Sequence, residues 1–170
     1  MKVAVIDFGS SKVPNIEAMV DETIDFTTFK AFDFDSDKQA DYIGIILSGA
    51  PILVTEIDME PYIQKFKWLK NPQIPVLGIC FGHQLLGIVH GAFASKVKED
   101  RDVQQIEFYE DSILNQKMPR TVEMMEDHCE AISIPNGFIL LAGSDACVNE
   151  AMEHFLSLIH ISEPTRPSQI

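Results

Sequence analysis

Residues 75–86 constrain the fold more than any other stretch of this sequence. A short aliphatic run ends in Gly78-Ile79-Cys80-Phe81-Gly82, and apolar residues at helical spacing follow it. This pattern predicts a strand, a sharp turn and a helix in direct succession. Cys80 then lies at the apex of the turn, and the glycines two residues before and after it lack the Cβ atoms that would collide there.

Two chemical expectations follow for Cys80. The unpaired N–H groups and the positive dipole end of a helix N-terminus favour a thiolate, so we expect a pKa below that of a free cysteine. The N–H of Phe81 is expected to point to the position where an oxyanion forms when the thiolate attacks a carbonyl. The alternative is that Cys80 is a small buried hydrophobic residue, as most free cysteines are.

The alternation of strands and helices predicts a mostly parallel central sheet with helices on both faces. The predicted strands are residues 2–6, 25–32, 42–47 and 74–79, and the predicted helices are residues 15–21 and 60–69. Trp68 is expected to pack against this sheet. After Gly91 short strands follow one another with few helices between them, which indicates an antiparallel extension. These strands are predicted at residues 92–97, 103–109, 121–125, 138–142 and 146–152.

Composition argues against several classes of function. The chain has 170 residues with 13 Lys and Arg against 26 Asp and Glu, a formal charge of -13 and no basic cluster, so a nucleic-acid partner is not expected. No apolar run has the length of a membrane span and no signal peptide is recognised, so we expect a cytoplasmic protein without a membrane partner. Cys80, Cys129 and Cys147 lack the spacing of metal ligands, so neither a disulfide framework nor a metal site is expected.

A resemblance extends these expectations. The segment Gly78-Ile79-Cys80-Phe81-Gly82-His83-Gln84 closely resembles the nucleophile motif of class I glutamine amidotransferases, and the similarity runs from Met1 to about His154. It implies a flavodoxin-like α/β fold, L-glutamine as substrate, Cys80 as nucleophile and Gln84 as a substrate-binding residue, without a cofactor. The loop Ser48-Gly49-Ala50-Pro51 is similar to the Ser-Gly-Gly-Pro loop of that family. This similarity implies substrate binding at Gly49 and an oxyanion hole made by the backbone N–H groups of Ala50 and Phe81.

The later part of the chain resembles one branch of this family. Asp127-His128-Cys129-Glu130 is similar to the Ser-His-x-Asp segment of GMP synthetase glutaminases, and residues 149–154 are similar to the same branch. That resemblance implies that ammonia passes to an ATP-dependent synthetase subunit carried on a separate chain. His128 is either a contact to the substrate or the synthetase partner, or a histidine of a turn.

The resemblance stops near residue 155. The family takes its catalytic base and orienting carboxylate from a His-Pro-Glu segment, whereas His160 and Glu163 stand three residues apart instead of two. Residues 156–166 resemble the in-frame translation of a transposase adapter used in preparing sequencing libraries. We therefore expect residues 1–155 to be an incomplete amidotransferase domain and residues 156–170 to be a non-native tail. The chain as written should then be nearly inactive and poorly soluble.

Three functions remain open on the sequence alone. The first is a glutaminase that supplies ammonia to a GMP synthetase-like partner. The second is a catalytically dead binding or regulatory module with the amidotransferase fold, which the absence of a native His/Glu pair would indicate. The third is a free-standing hydrolase of γ-glutamyl compounds, whose activity would not depend on an added synthetase.

Overall fold

A parallel sheet forms the first half of the protein. The structure is a computed structural model that describes residues 1–155, so the predicted tail at residues 156–170, with His160 and Glu163, lies outside the described residues. The sheet has the order β2-β1-β3-β4, and every neighbouring pair is parallel. Its strands are β1 (Val3–Asp7), β2 (Phe26–Lys30), β3 (Gly44–Leu47) and β4 (Val76–Gly78). The predicted parallel sheet is therefore confirmed.

Helices lie on both faces of this sheet. Helix α1 (Val13–Asp21) connects β1 to β2, α2 (Glu60–Lys65) lies between β3 and β4, and α3 (Phe81–Val89) follows β4. The strand order runs in opposite directions from β1, and crossovers between parallel strands are right-handed, so α1 and α2 are on opposite faces. An open α/β sheet binds its ligands at the carboxyl edge near such a reversal of strand order.

The main core lies on one face of the sheet, between the sheet and the helices α2 and α3. Ala4 and Ile6 of β1 belong to it, whereas Val5, buried between them, points to the other face. Helix α2 ends at Lys65, so the predicted helix over residues 60–69 is wrong in its last turn. A 3₁₀ turn at Lys67–Lys70 follows instead. Residues three apart align in a 3₁₀ turn, which directs both Phe66 and Leu69 into the core.

Trp68 has the packing role that was predicted for it. Its ring centroid lies 5.8 Å from that of Phe34 and 6.2 Å from that of Phe66. Both phenylalanines are buried in the main core. Trp68 therefore covers this core and does not line the cleft described below.

The second half is antiparallel, as predicted. One sheet has the order β10-β9-β6-β7, and β5 pairs with β8. The strands are β5 (Ala94–Asp100), β6 (Val103–Phe108), β7 (Thr121–Met125), β8 (His128–Ile132), β9 (Phe138–Gly143) and β10 (Ala151–His154). The sequence did not predict β8, because its inward-facing residues include the charged Glu130 beside Ile132, and this mixture hides the alternation of an ordinary strand.

The last strand begins later than predicted. Residues 146–152 were predicted as a strand, but β10 starts at Ala151. The hydroxyl of Ser144 accepts hydrogen bonds from the N–H of Ala146 at 3.2 Å and of Cys147 at 3.0 Å. A serine that binds the backbone in this way favours a turn over a strand, so the chain folds back on itself before β10 begins.

Candidate active site

Cys80 occupies the sharp turn between β4 and α3. Its backbone angles are φ 52° and ψ -112°, and within residues 1–155 it is the one non-glycine residue with a positive φ. Such a conformation costs on the order of 1–3 kcal/mol and persists only where the surrounding structure enforces it. The predicted strained turn with Cys80 at its apex is therefore confirmed.

Gly78 and Gly82 make this turn sterically feasible. A Cβ atom on Gly78 would lie 2.6 Å from the carbonyl carbon and oxygen of Gly82. A Cβ atom on Gly82 would lie 2.6 Å from the Cβ of Leu47, in β3. The absence of a side chain at Gly78 lets α3 lie close to β4, and its absence at Gly82 lets α3 lie close to β3. The steric role that the sequence assigned to these two glycines is confirmed.

The turn is tied to the carboxyl end of β3. The Ile79 N–H donates a hydrogen bond to the Leu47 carbonyl at 2.9 Å, and the Gly82 N–H donates to the Ser48 carbonyl at 3.1 Å. Leu47 and Gly78 are partners in the β3–β4 register. The residues that follow the two strands therefore emerge side by side at one edge of the sheet.

The loop of residues 48–51 is held beside the thiol. The hydroxyl of Ser48, which is fully buried, accepts a hydrogen bond from the Phe8 N–H at 3.0 Å and donates one to the Gly49 carbonyl at 2.8 Å. Gly49 lies against the nucleophile, since a Cβ atom built on it would be 3.5 Å from the Cβ of Cys80. The loop thus has a defined position next to Cys80. The oxyanion role of the Ala50 N–H stays a prediction.

A cleft of about 430 Å³ opens at this edge, and Cys80 lines it. Three other residues singled out in the sequence, Ala50, Gln84 and His128, line the same cleft. This volume lies within the usual range for small-molecule sites, roughly 300–1,000 Å³. The structure therefore brings these predicted site residues together, and the Phe81 N–H donates a hydrogen bond to the thiol.

The pKa expected for Cys80 is wrong in its direction. Although Cys80 is exposed at the cleft, the protein atoms around its thiol reduce its solvation and raise its pKa above the ordinary value, and this effect outweighs the hydrogen bond from the Phe81 N–H, which lowers it. The nearby negative charges of Glu126, Asp127 and Glu130 raise the pKa further. The helix N-terminus is therefore not sufficient to hold a thiolate here, and the thiol needs a proton acceptor before it can attack.

One wall of the cleft is charged. Arg101 contacts the carboxylates of Glu99 at 2.8 Å and Asp127 at 3.4 Å, and all three residues line the cleft. Sequence reasoning missed them, because these side chains are more than half exposed and look like ordinary surface residues in the sequence. Their positions depend on the pairing of β5 with β8, which brings distant segments together.

Glu130 joins this wall to the first half of the protein. Its side chain is only 4% exposed, and its carboxylate accepts hydrogen bonds from the N–H groups of Val54 and Thr55, both at 2.9 Å. The Thr55 hydroxyl also donates to it. The sequence placed Glu130 in a motif-like segment but gave it no role. The signal in the sequence was an acidic residue two positions before the apolar Ile132, because residues two apart in a strand lie on the same face.

His128 is the first residue of β8, so its interpretation as a turn histidine is wrong. It lines the cleft, and its Nδ1 lies 3.3 Å from a carboxylate oxygen of Glu126. His83 has a different environment on α3, where burial lowers its pKa to about 4. Its imidazole is therefore neutral around pH 7, and it does not line the cleft.

None of the helices in the described part of the chain has the length and apolar character needed to span a membrane.

Comparisons with known proteins agree with this geometry. The family model described as "Glutamine amidotransferase class-I" matches residues 4–158. The glutamine-hydrolyzing GMP synthase subunit of Methanosarcina mazei is 34% identical over 128 residues, covering 73% of this chain and 59% of that protein. The protein of the same description from Methanococcoides burtonii is 38% identical over 115 residues, covering 65% of this chain and 57% of that protein. The chain thus spans less than two thirds of the length of these curated relatives.

A solved structure shares the fold. The crystal structure of a glutamine amidotransferase from Thermotoga maritima aligns with a TM-score of 0.76 and 19% identity, covering 91% of this chain and 71% of that chain. At this identity, the comparison shows a shared fold and carries no information about function. The predicted architecture, a flavodoxin-like parallel sheet with an antiparallel extension, is the one that the two proteins share.

Proposed function

Because the chain belongs to the class I glutamine amidotransferase family, we propose that it performs the glutaminase half-reaction, in which Cys80 takes ammonia from the side chain of L-glutamine. The observation that carries this proposal is the strained backbone of Cys80, which holds its thiol at a cleft large enough for an amino acid. A strained nucleophile at the carboxyl edge of a parallel sheet is well placed to attack a bound carbonyl carbon.

The reaction follows from the groups around Cys80. The thiol loses its proton to a base, and the sulfur forms a bond to the side-chain amide carbon, which pushes negative charge onto the amide oxygen. The N–H groups of Phe81 and Ala50 stabilise that oxyanion, while Gly49 and Gln84 hold the substrate. The C–N bond then breaks, the nitrogen takes up a proton and leaves as ammonia, and water hydrolyses the thioester to glutamate.

We propose that the chain as written is nearly inactive. Reduced solvation and three acidic neighbours raise the pKa of the Cys80 thiol, so the step that removes its proton needs an efficient base. The sequence does not contain the His-Pro-Glu segment that supplies this base in the family. We propose that residues 1–155 are an incomplete amidotransferase domain and that residues 156–170 are not native. Amplifying and sequencing the source DNA beyond the codon for Phe155 tests this, since a reading frame that stops as written would contradict it.

The test of the nucleophile uses the natural reading frame, continued past residue 155. Cys80→Ser should reduce ammonia release from L-glutamine by at least roughly a thousandfold, because the hydroxyl is a far weaker nucleophile. Cys129→Ser is the matched control, since Cys129 also lines the cleft and should keep most of the activity. Full activity in the Cys80→Ser protein would sink the mechanism.

The ammonia acceptor is proposed from the relatives. Both curated relatives are named as glutamine-hydrolyzing subunits of GMP synthase, and this supports an ATP-dependent GMP synthetase-like partner on a separate chain. Such a role lies in purine biosynthesis and suits a cytoplasmic protein. Glutaminase activity that rises on addition of the synthetase subunit is the expected result. Equal hydrolysis of other γ-glutamyl compounds without a partner would favour the free-standing hydrolase.

A further inference from the structure

Three side chains with metal-binding atoms converge beside the cleft, which one of them, His128, also lines. His128, Cys147 and Glu150 each present one ligand atom, and these atoms all lie within 4.8 Å of one another. Cys147 is buried, and the other two residues are partly buried. Nitrogen, sulfur and oxygen ligands at this spacing form a set that Zn²⁺ accepts in proteins. The proposed glutaminase chemistry makes no use of Cys147 or Glu150.

The two ring nitrogens of His128 have different environments. Its Nδ1 is 3.3 Å from the Glu126 carboxylate, and its Nε2 is buried without a hydrogen-bond partner among residues 1–155. Metal-bound histidines usually donate one ring N–H to a carboxylate, which fixes the ring and leaves the other nitrogen to bind the ion. A buried ring nitrogen without a partner is costly, and a bound cation would satisfy it.

The carboxylate ligand is supported in the same way. The Ser144 hydroxyl donates a hydrogen bond to Glu150 Oε1 at 2.6 Å. The same hydroxyl accepts the N–H of Cys147 at 3.0 Å, so one side chain holds both the thiol and the carboxylate in place. Ligating carboxylates in metal sites are commonly held by such outer hydrogen bonds.

We propose that His128, Cys147 and Glu150 bind one Zn²⁺ ion. The Cys147 thiol releases its proton to solvent as the sulfur binds, and water completes a tetrahedral coordination. The ion connects the start of β8 to the turn before β10, two segments that are far apart in sequence. The expectation of no metal site was drawn from local cysteine spacing, which does not register ligands contributed by separate segments. This site does not depend on the proposed glutaminase function.

The test uses Co²⁺ as a spectroscopic substitute for Zn²⁺. The metal-free full chain, kept reduced, is titrated with Co²⁺, and the absorption from thiolate-to-cobalt charge transfer is followed. We expect one Co²⁺ per chain and displacement by Zn²⁺. Cys147→Ser should remove the charge-transfer band and weaken binding by more than about 100-fold, whereas the matched thiol controls Cys129→Ser and Cys80→Ser should keep it. Loss of the band in Cys80→Ser with retention in Cys147→Ser, or no band in the unmodified chain, would overturn the proposal.

Two further variants guard against misfolding of Cys147→Ser. Circular dichroism of each metal-free variant establishes that it is folded. Glu126→Gln should weaken Co²⁺ binding by roughly 10- to 100-fold by loosening His128, although Glu126 is not itself a ligand. Glu150→Gln should weaken it at least as much while keeping a sulfur band, because the thiol remains. Unchanged affinity in both folded variants would contradict the site.

Discussion

Residues 1–91 bury one large apolar cluster against the parallel sheet, whereas residues 92–155 are built around two small ones. Cys80, Gln84 and the loop that carries Ala50 belong to the first half, and the charged wall belongs to the second. Cys80, whose backbone is strained, thus belongs to the half with the larger buried core. The half with the thinner core contributes ion pairs and hydrogen bonds, whose positions depend on long-range strand pairing.

The largest effect is expected where the first half is packed most tightly. Gly82→Ala places a Cβ atom 2.6 Å from the Cβ of Leu47, and neither backbone can yield without disturbing the Cys80 turn. We expect a loss of about 4 kcal/mol or failure to fold, measured by urea unfolding. The control is Gly44→Ala, whose Cβ would meet its nearest neighbour at an ordinary 3.6 Å. Equal stability of the two variants would contradict the steric account.

Matched truncations compare the two cores directly. Ile45 and Ile106 are both almost fully buried, at 1% and 2% exposure, but Ile45 belongs to the large cluster and Ile106 to a small one. Ile45→Ala should cost about 4 kcal/mol, because rigid surroundings leave a cavity. Ile106→Ala should cost about 2 kcal/mol, because the thinner core can relax. Chemical denaturation measures the unfolding free energy of both variants. A larger loss of stability in Ile106→Ala than in Ile45→Ala would contradict the proposed difference between the two cores.

The pH dependence of stability should report the buried His83. Its pKa in the folded protein is about 4, below the ordinary value of 6.5, so between these limits the unfolded chain binds the extra proton. The contribution of His83 to the free energy of unfolding is therefore fully present above about pH 6.5. It falls by about 2–3 kcal/mol as the pH decreases toward 4. His83→Gln should flatten the stability curve in that window. A curve that keeps its slope in the variant would contradict this origin.

Glu130 tests the connection between the halves. Glu130→Gln keeps the volume but loses the charge that accepts the N–H groups of Val54 and Thr55, so we expect a loss of about 2 kcal/mol. Glu99→Gln is the control, since its ion pair with Arg101 is exposed and should contribute less than about 1 kcal/mol. Thermal unfolding compares the two variants, and a greater effect at Glu99 would count against the role of Glu130.

The two halves also differ in what the sequence reveals. The Cys80 turn, the four parallel strands and the loop at Ala50 were predicted because glycines and aliphatic runs signal them locally. Strand β8, the turn at Ser144 and the role of Glu130 were missed, because they depend on pairing between distant segments. The predicted direction of the pKa shift of Cys80 was wrong for the same reason. The reduced solvation of the thiol and the charges of residues 126–130 are properties of the assembled cleft, whereas the helix N-terminus is a local feature.

The most direct test of the account is alkylation of the chain by a chloromethyl ketone analogue of L-glutamine, followed by peptide mapping. This measurement does not depend on turnover, and at alkaline pH hydroxide from the solvent can take the proton of the Cys80 thiol, whose pKa is raised. We expect a single adduct on Cys80, formed more slowly when L-glutamine is present, while Cys129 in the same cleft remains unmodified. Preferential modification of Cys129, or a Cys80 rate that L-glutamine does not change, would contradict the claim that Cys80 is the nucleophile of a glutamine site.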